Sequence, residues 1–476
     1  MNLLATKKGR LVTFGGLYLS EGLPAGLLMM AIATEIQRRG MGTAALGVFV
    51  TMLALPWTVK FMMGPFVDNL HIKRFGARKQ WIVASQFIML FAMAAAMFCM
   101  PAEVNVDKIE GSGVIGTIKA LSASGIGLFA VLLLIHNSLA ATQDVAIDAL
   151  ACQVLKPEER GFANGVMFSS THAGYAIGGS GVLLMKGMFG DNFQAASVVI
   201  LVLMAMILTS VVLFVTEKSA AQQMEDGEIA APKPGEHGLA RVGDQLVDYF
   251  MTIFRSVICT RNGILTLLLA ITPIGALALS MLLSALIAPR LGMTDKELSV
   301  LNLATSLVWI AFCLLGGWLS DKYNRRLLFA IGATCTIIPS LWMAYQFKQA
   351  GWATPPDAAA DGSWPREEGL MVAWWIATGT FSIFSGFSYG IKSAFYMDLV
   401  NPKIAATQFT ALMALTNLTN NYSKVWQGQA IDADGWKWPM WKLLYVDCAI
   451  GLLFLVILFF IRPESEGAKA AGPMDE

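Results

Sequence analysis

Residues 60–79 read KFMMGPFVDNLHIKRFGARK, and residues 317–326 read GWLSDKYNRR. In each stretch a glycine (Gly64, Gly317) stands four residues before an aspartate (Asp68, Asp321). An apolar run leads up to each glycine and a basic cluster follows each aspartate: Lys73, Arg74, Arg78 and Lys79 after the first, Lys322, Arg325 and Arg326 after the second. Two such exits, each an apolar run ending in a polar, cation-rich loop, mark helices that leave a membrane on its cytoplasmic side, where Lys and Arg accumulate.

Working outward from these exits, twelve runs approach the roughly 20 apolar residues that a membrane-spanning helix needs. They lie at about 11–34, 44–67, 81–100, 123–152, 161–187, 194–215, 262–289, 298–320, 327–347, 370–399, 404–430 and 440–461. Residues 216–261 carry no spanning run and divide the twelve into six and six. The expected organisation is an all-α membrane protein: a six-helix bundle over 1–215, a cytoplasmic linker over 216–261, and a six-helix bundle with a short tail over 262–476. Within the linker, Val242 to Ile258 is amphipathic and suits the membrane surface. The first run follows a short basic segment and has no small-residue cleavage site at its end, so it is expected to stay as a helix. Both termini are placed in the cytoplasm.

Composition agrees. The chain is 56% hydrophobic and 14% charged, with a mean hydropathy of +0.59, whereas a soluble domain has roughly 25% charged residues. The net charge of +1 argues against a nucleic-acid partner. The six cysteines form no CxxC pair, so neither a metal nor a disulfide framework is expected. No cofactor motif is present. The chain lacks a P-loop, an H-E-x-x-H and a G-x-S-x-G, which removes ATP as an energy source and gives no support to an enzyme.

The halves repeat. Asp148 and Asp398 close the fourth and tenth runs, each followed by a proline (Pro157, Pro402), and Pro24 and Pro273 interrupt the first and seventh. With the Gly-Asp exits, these landmarks recur at offsets of 245 to 253 residues. Parallel six-helix repeats are a transporter architecture, with the solute site between repeats near the bilayer midplane.

Charges inside a span are costly and face a cavity or a partner. Lys60 and Asp144 fall at similar depth and are expected to pair; a static lock between helices and a functional, proton-responsive pair both fit. Glu21, near the midplane beside Gly22 and Pro24, is a candidate proton carrier, the alternative being a carboxyl that only hydrogen-bonds a neighbouring helix. Asp447 lies near the outer end of the twelfth run. The eleventh run carries Asn417, Asn420, Asn421, Lys424 and Gln427 on one helical face. Tyr389 and Lys392 in the tenth run, and His172 and Tyr175 in the fifth, join that stripe as candidate substrate contacts. Asp68, Arg78, Asp148, Arg160, Asp321, Arg325 and Asp398 cluster near the inner boundary and are candidate gate residues. An aspartate past one helix end can accept from the free N–H groups at another helix's start. By pseudo-symmetry Asp68 is expected to reach the start of the eleventh run near Ala405 to Thr407, and Asp321 the start of the fifth near Arg160 to Phe162.

The paired Gly-x-x-x-Asp loops with their basic clusters resemble the major facilitator superfamily. A set of local strings narrows the resemblance: Gly22-Leu23-Pro24, Lys60-Phe61 through Pro65 to Asp68, and Gly76-Ala77-Arg78-Lys79. To these add Ala141-Thr142-Gln143-Asp144 through Asp148-Ala149, Pro157-Glu158-Glu159-Arg160-Gly161, and Ala406-Thr407-Gln408-Phe409. Over about 400 residues the chain looks like the AmpG-type muropeptide permeases, with the related acetyl-CoA transporters and siderophore importers. The resemblance implies secondary transport by alternating access, generally proton-driven, in a monomer of the bacterial inner membrane. Its first-choice substrate is an anhydromuropeptide, a disaccharide bearing a short anionic peptide. A siderophore or other bulky anionic or amphiphilic solute is the alternative, and a non-transporting sensor a further one. In that setting Lys392, Lys424 and Arg290 are placed to meet carboxylates, and Tyr389 and Tyr175 to stack on sugar faces.

Overall fold

A computed structural model of the chain describes residues 2–41, 43–70, 72, 74–104, 126–226, 247, 251, 254–255, 260–281, 287, 291–352, 366–400, 405–431 and 436–461. Among these the chain is helical, with one isolated β-bridge between Gly76 and Ser219. Its principal helices are α1 (Lys7–Arg38), α2 (Thr43–Val59), α3 (Lys79–Phe98), α4 (Gly127–Val154), α5 (Arg160–Ala176) and α6 (Phe193–Phe214). They continue with α7 (Arg261–Ile271), α8 (Asp295–Ser320), α9 (Arg325–Gln349), α10 (Glu368–Leu399), α11 (Ala405–Ile431) and α12 (Met440–Phe460). Most of the expected surface helix at Val242 to Ile258, and Arg290, lie outside the described residues.

Among the described residues eight helices are long and apolar enough to cross a membrane: α1, α3, α4, α6, α8, α9, α10 and α12. The other four are short, interrupted or polar, for legible reasons. α2 contains Pro56 and tightens into a 3-10 turn at Lys60–Met63. α5 passes into a π-helical stretch at Ile177–Gly181. α7 stops at Ile271, just before Pro273, and helix resumes only at Ala278–Met281. α11 runs 27 residues but carries the asparagine stripe. By contrast the exposed side chains of α3, α6, α9 and α12 include Phe87, Phe91, Val202, Met206, Ile331, Ile338, Val456 and Phe459, an apolar surface that suits lipid.

The chain packs as two units that do not follow chain order. The first comprises Met1–Leu155, Val166–Phe250 and Asn401–Ala414, and the second Lys156–Gly165, Met251–Val400 and Leu415–Glu476. The opening turns of α5 thus pack in the second unit, and those of α11 in the first. This differs from the expected division at 215 and 262.

Within the first unit α1 and α5 approach closely at small residues. A Cβ on Gly22 would overlap the Thr171 carbonyl, and one on Gly178 the Leu23 carbonyl. Gly22 and Gly26, like Gly174 and Gly178, are four residues apart on one helix face, the spacing that lets helices touch in lipid, where apolar surface alone gives little drive to associate. The second unit uses the same device between α8 and α10, where a Cβ on Gly386 would run into the Trp309 backbone and one on Gly390 would lie 2.8 Å from the Cys313 carbonyl oxygen.

Candidate functional site

In the first unit a buried polar cluster is built from three helices. α1 contributes Tyr18 and Glu21, three residues apart and so on one face; α4 contributes Asp144 and Asp148, four apart. The turn after α2 contributes Lys60. Lys60 Nζ meets Asp144 Oδ2, and the Tyr18 hydroxyl donates to Asp148 Oδ1. Lys60 and Asp144 are each 4% exposed and Asp148 1%. Lys60 Nζ also lies 5.4 Å from the Trp57 ring centroid. Glu21 has Asp144, Lys60 and Asp148 as charged neighbours, and its buried Oε2 accepts no hydrogen bond. Three carboxyl groups therefore surround one ammonium and one phenol. Around them Gln143 Nε2 donates to Gln86 Oε1 at 2.7 Å, and Gln86 Nε2 to Ser20 Oγ at 2.7 Å. That amide relay fixes the α1, α3 and α4 faces that carry the charges.

Asp148 is thus placed differently from expectation. It stands not with the arginines of the inner boundary but in this cluster, because the helical step from Asp144 turns its carboxyl toward Tyr18. Tyr18 itself was not expected; its i, i+3 relation to Glu21 was the available signal.

The boundary contacts lie within each unit. In the first, Asp68 Oδ2 accepts from both the backbone N–H and the hydroxyl of Thr407, each at 3.2 Å. Its other oxygen accepts from Arg78 Nη2 at 2.7 Å, and Arg78 Nη1 donates to the Val67 carbonyl at 2.6 Å. In the second, Asp321 accepts from the backbone N–H groups of Gly161 at 2.7 Å and Phe162 at 2.8 Å, at the N-terminus of α5, where the helix dipole favours a carboxylate. Arg325 joins Asp321 at 2.9 Å and also pairs with Asp398, which accepts from Arg160 Nη1 at 3.0 Å. Burial pushes the Asp321 carboxyl up, while the two N–H donors and Arg325 oppose that shift.

Elsewhere in the second unit Lys392 is buried at 7% exposure, with its Nζ 4.3 Å from the Tyr389 ring centroid. The Trp309 ring lies 5.4 Å from that of Tyr389, and Trp309 Nε1 donates to Ser385 Oγ at 3.1 Å. Lys392 makes no salt bridge among the described residues. Asn421 and Lys424 lie on an exposed face of α11 with Asn417 and Asn420 partly buried beside them. Gln427 is buried and donates to Asp447 Oδ1 at 2.8 Å. Asp447 Oδ2 accepts from the N–H groups of Leu277 at 2.8 Å and Ala278 at 2.9 Å, which satisfies the helix restart after the Pro273 break. His172, exposed on α5, lies against its own helix at the Phe168 carbonyl, and Tyr175 is 40% exposed. No group of three or more His, Cys, Asp or Glu side chains able to hold a metal occurs among the described residues.

The fold matches the Escherichia coli fucose:proton symporter with a TM-score of 0.64 at 13% identity, covering 95% of this chain and 98% of that one. The helical bundle therefore has the major facilitator fold. A family model for acetyl-coenzyme A transporter 1 matches residues 11–222. A putative transporter AmpG 4 of Rickettsia conorii is 22% identical over 452 residues, 92% of this chain and 93% of that protein. The anhydromuropeptide permease of E. coli is 23% identical over 452 residues, 92% of this chain and 77% of that one. In sequence the chain is thus similar to the AmpG-like transporters and to the acetyl-coenzyme A transporter family.

Proposed function

We propose that the chain imports an anhydromuropeptide-like solute across a bacterial inner membrane by proton-coupled alternating access, as a monomer with both termini in the cytoplasm. The observation that carries the coupling is the buried cluster of Glu21, Asp144 and Asp148 around Lys60 and Tyr18. With every carboxyl ionised, three negative charges would face one positive charge in a medium of low dielectric, which is strongly unfavourable. A site with more acid than base relieves this by holding a proton. Glu21, whose Oε2 has no donor, is the carboxyl that takes and releases it.

Asp68 and Asp321 serve as latches. Each accepts from the free N–H groups at the start of a helix, an interaction that favours whichever conformation allows it and so biases the alternating-access equilibrium. Substrate class rests on the kinship with the E. coli permease together with the polar, partly exposed face of α11 at Asn417, Asn420, Asn421 and Lys424. Tyr389 and Lys392 on α10 are further proposed solute contacts in the second unit, and His172 and Tyr175 on α5 are proposed contacts in the first.

The test is uptake of labelled anhydromuropeptide into proteoliposomes under an imposed proton gradient. Wild-type protein accumulates the solute. Glu21→Gln, which mimics the protonated carboxyl, retains solute exchange at zero gradient and loses accumulation. Full uphill uptake by Glu21→Gln removes Glu21 from the coupling step, and gradient-driven uptake of a siderophore in place of the muropeptide replaces the substrate.

A further inference from the structure

Lys392 is the buried cation of the second unit that the proposed proton chemistry leaves unused. The residue is 7% exposed, and its ammonium rests over the Tyr389 ring at 4.3 Å and makes no salt bridge among the described residues. Buried charges are ordinarily paired, since desolvation of an unpaired one costs several kcal/mol; a ring face compensates an ammonium only in part, by about 0.5–2 kcal/mol. Beside it the Trp309 and Tyr389 rings are tilted at 58° and partly exposed. Their backbones are held by the close packing of Gly386 against Trp309 and of Gly390 against Cys313, and the Trp309 ring is further oriented by its bond to Ser385. The Trp309 ring is thus positioned by its own packing and hydrogen bond, which lowers the cost of binding.

We infer that Lys392, Tyr389 and Trp309 form the subsite that fixes the solute's anionic group: a carboxylate completes the charge of Lys392 while the Trp309 ring covers an adjoining sugar face. The inference rests on the proposed muropeptide transport and adds the group by which the solute is recognised. A single lysine presents one unit of charge without a planar fork. That matches a monoanionic carboxylate; a lone lysine also meets a phosphate as a point charge, without the bidentate geometry an arginine supplies, and the experiment below separates the two. Trp309 on α8 is absent from the contacts legible in the sequence; only the helix pairing brings it to Tyr389.

The experiment measures tryptophan-fluorescence binding to the purified full chain in nanodiscs. The probe is the anhydro-disaccharide carrying one neutral amino acid on its lactyl group, whose single free α-carboxylate is compared with the same compound as its carboxamide. Wild-type protein is expected to bind the acid at least tenfold more tightly than the amide. Lys392→Met should abolish that preference while leaving amide affinity within about twofold, and Lys392→Arg should restore part of it. Thermal stability of Lys392→Met should be unchanged or higher, since the variant removes an unpaired buried charge, so loss of folding does not confound the reading. Trp309→Phe should weaken acid and amide alike. An acid preference that survives in Lys392→Met overturns the inference. So does lack of probe binding by a wild-type chain that still accumulates anhydromuropeptide, and in that case the transport reading stands. Lys392-dependent binding of acetyl-coenzyme A in place of the acid overturns the carboxylate in favour of phosphate. Absence of both probe binding and gradient-driven uptake overturns the transport reading and the inference with it.

Discussion

The charges buried within the spans are compensated in different ways in the two units. In the first they are answered by other side chains: Lys60 by Asp144, Asp148 by Tyr18. In the second the half-buried Asp398 pairs with Arg160 and Arg325, but the buried Asp447 and Lys392 are answered by fixed groups: Asp447 by the N–H groups of Leu277 and Ala278 with the Gln427 amide, and Lys392 by the Tyr389 ring. A titratable partner can give or take a proton, and a backbone N–H cannot. On the proposed function, the difference suits the first unit to proton chemistry and Lys392 of the second to a solute's anionic group, while Asp447 shapes a helix break. It also predicts that the two sets of buried charge respond to substitution in unlike ways.

The largest effect is expected at the Lys60–Asp144 pair. Lys60→Ala and Asp144→Ala each strand a buried charge and should cost about 3–5 kcal/mol of stability, while the double change costs less than either alone. Thermal unfolding of the purified variants gives the comparison; additive losses would mean that the pair is not energetically coupled, and the contrast between units would fail on the first side. Asp447 tests the second side. Asp447→Leu leaves the Leu277 and Ala278 N–H groups without their acceptor, at about 1–3 kcal/mol for each orphaned donor. Asp447→Asn keeps an acceptor oxygen and should recover most of that loss. If the asparagine variant is as unstable as the leucine one, charge rather than hydrogen bonding holds the break.

Smaller shifts are expected at the latches, each worth about 0.3–1 kcal/mol if exposed and up to about 2 kcal/mol if partly buried. Asp321 takes two backbone N–H groups at 2.7 and 2.8 Å, whereas Asp68 takes one N–H and one hydroxyl at 3.2 Å. Asp321→Asn should therefore move the inward-open population further than Asp68→Asn. Spin-label distances across the cytoplasmic side read the change; identical distributions in both variants and wild type would remove the latch role.

The smallest effect lies outside the membrane span. Glu297 accepts from Arg366 and from Thr294, chiefly the Arg366 contact holding its carboxyl down at about 2. A depressed carboxyl contributes stability above its unfolded value of about 4.3 and loses it as pH falls toward 2. Glu297→Gln should thus melt slightly below wild type at pH 7, with the gap closing between about pH 4 and pH 2. A gap that stays constant across that range would show that the contact does not depend on ionisation.

The sequence by itself determined the class of the fold, because lipid imposes one rule that single residues reveal: long apolar runs, with cations at their cytoplasmic exits. It also carried the internal repeat, through the Gly-x-x-x-Asp exits and the paired prolines, and it singled out Glu21, Lys60 and Asp144, since a charge inside an apolar run is conspicuous whatever it touches. The Pro273 break was legible too, but not its acceptor: an orphaned N–H asks for an oxygen and does not say which, and Asp447 lies about 170 residues further on. Partners across helices depend on rotation about each helix axis, which hydropathy leaves undetermined. Only the tertiary structure turned Asp148 toward Tyr18 instead of toward the arginines, set Trp309 beside Tyr389 through the glycines of α10, and packed the first turns of α5 and α11 away from the units their chain order implies. Depth in the membrane is written along one chain; azimuth is set by neighbours, and the chemistry of this transporter lies in the azimuth.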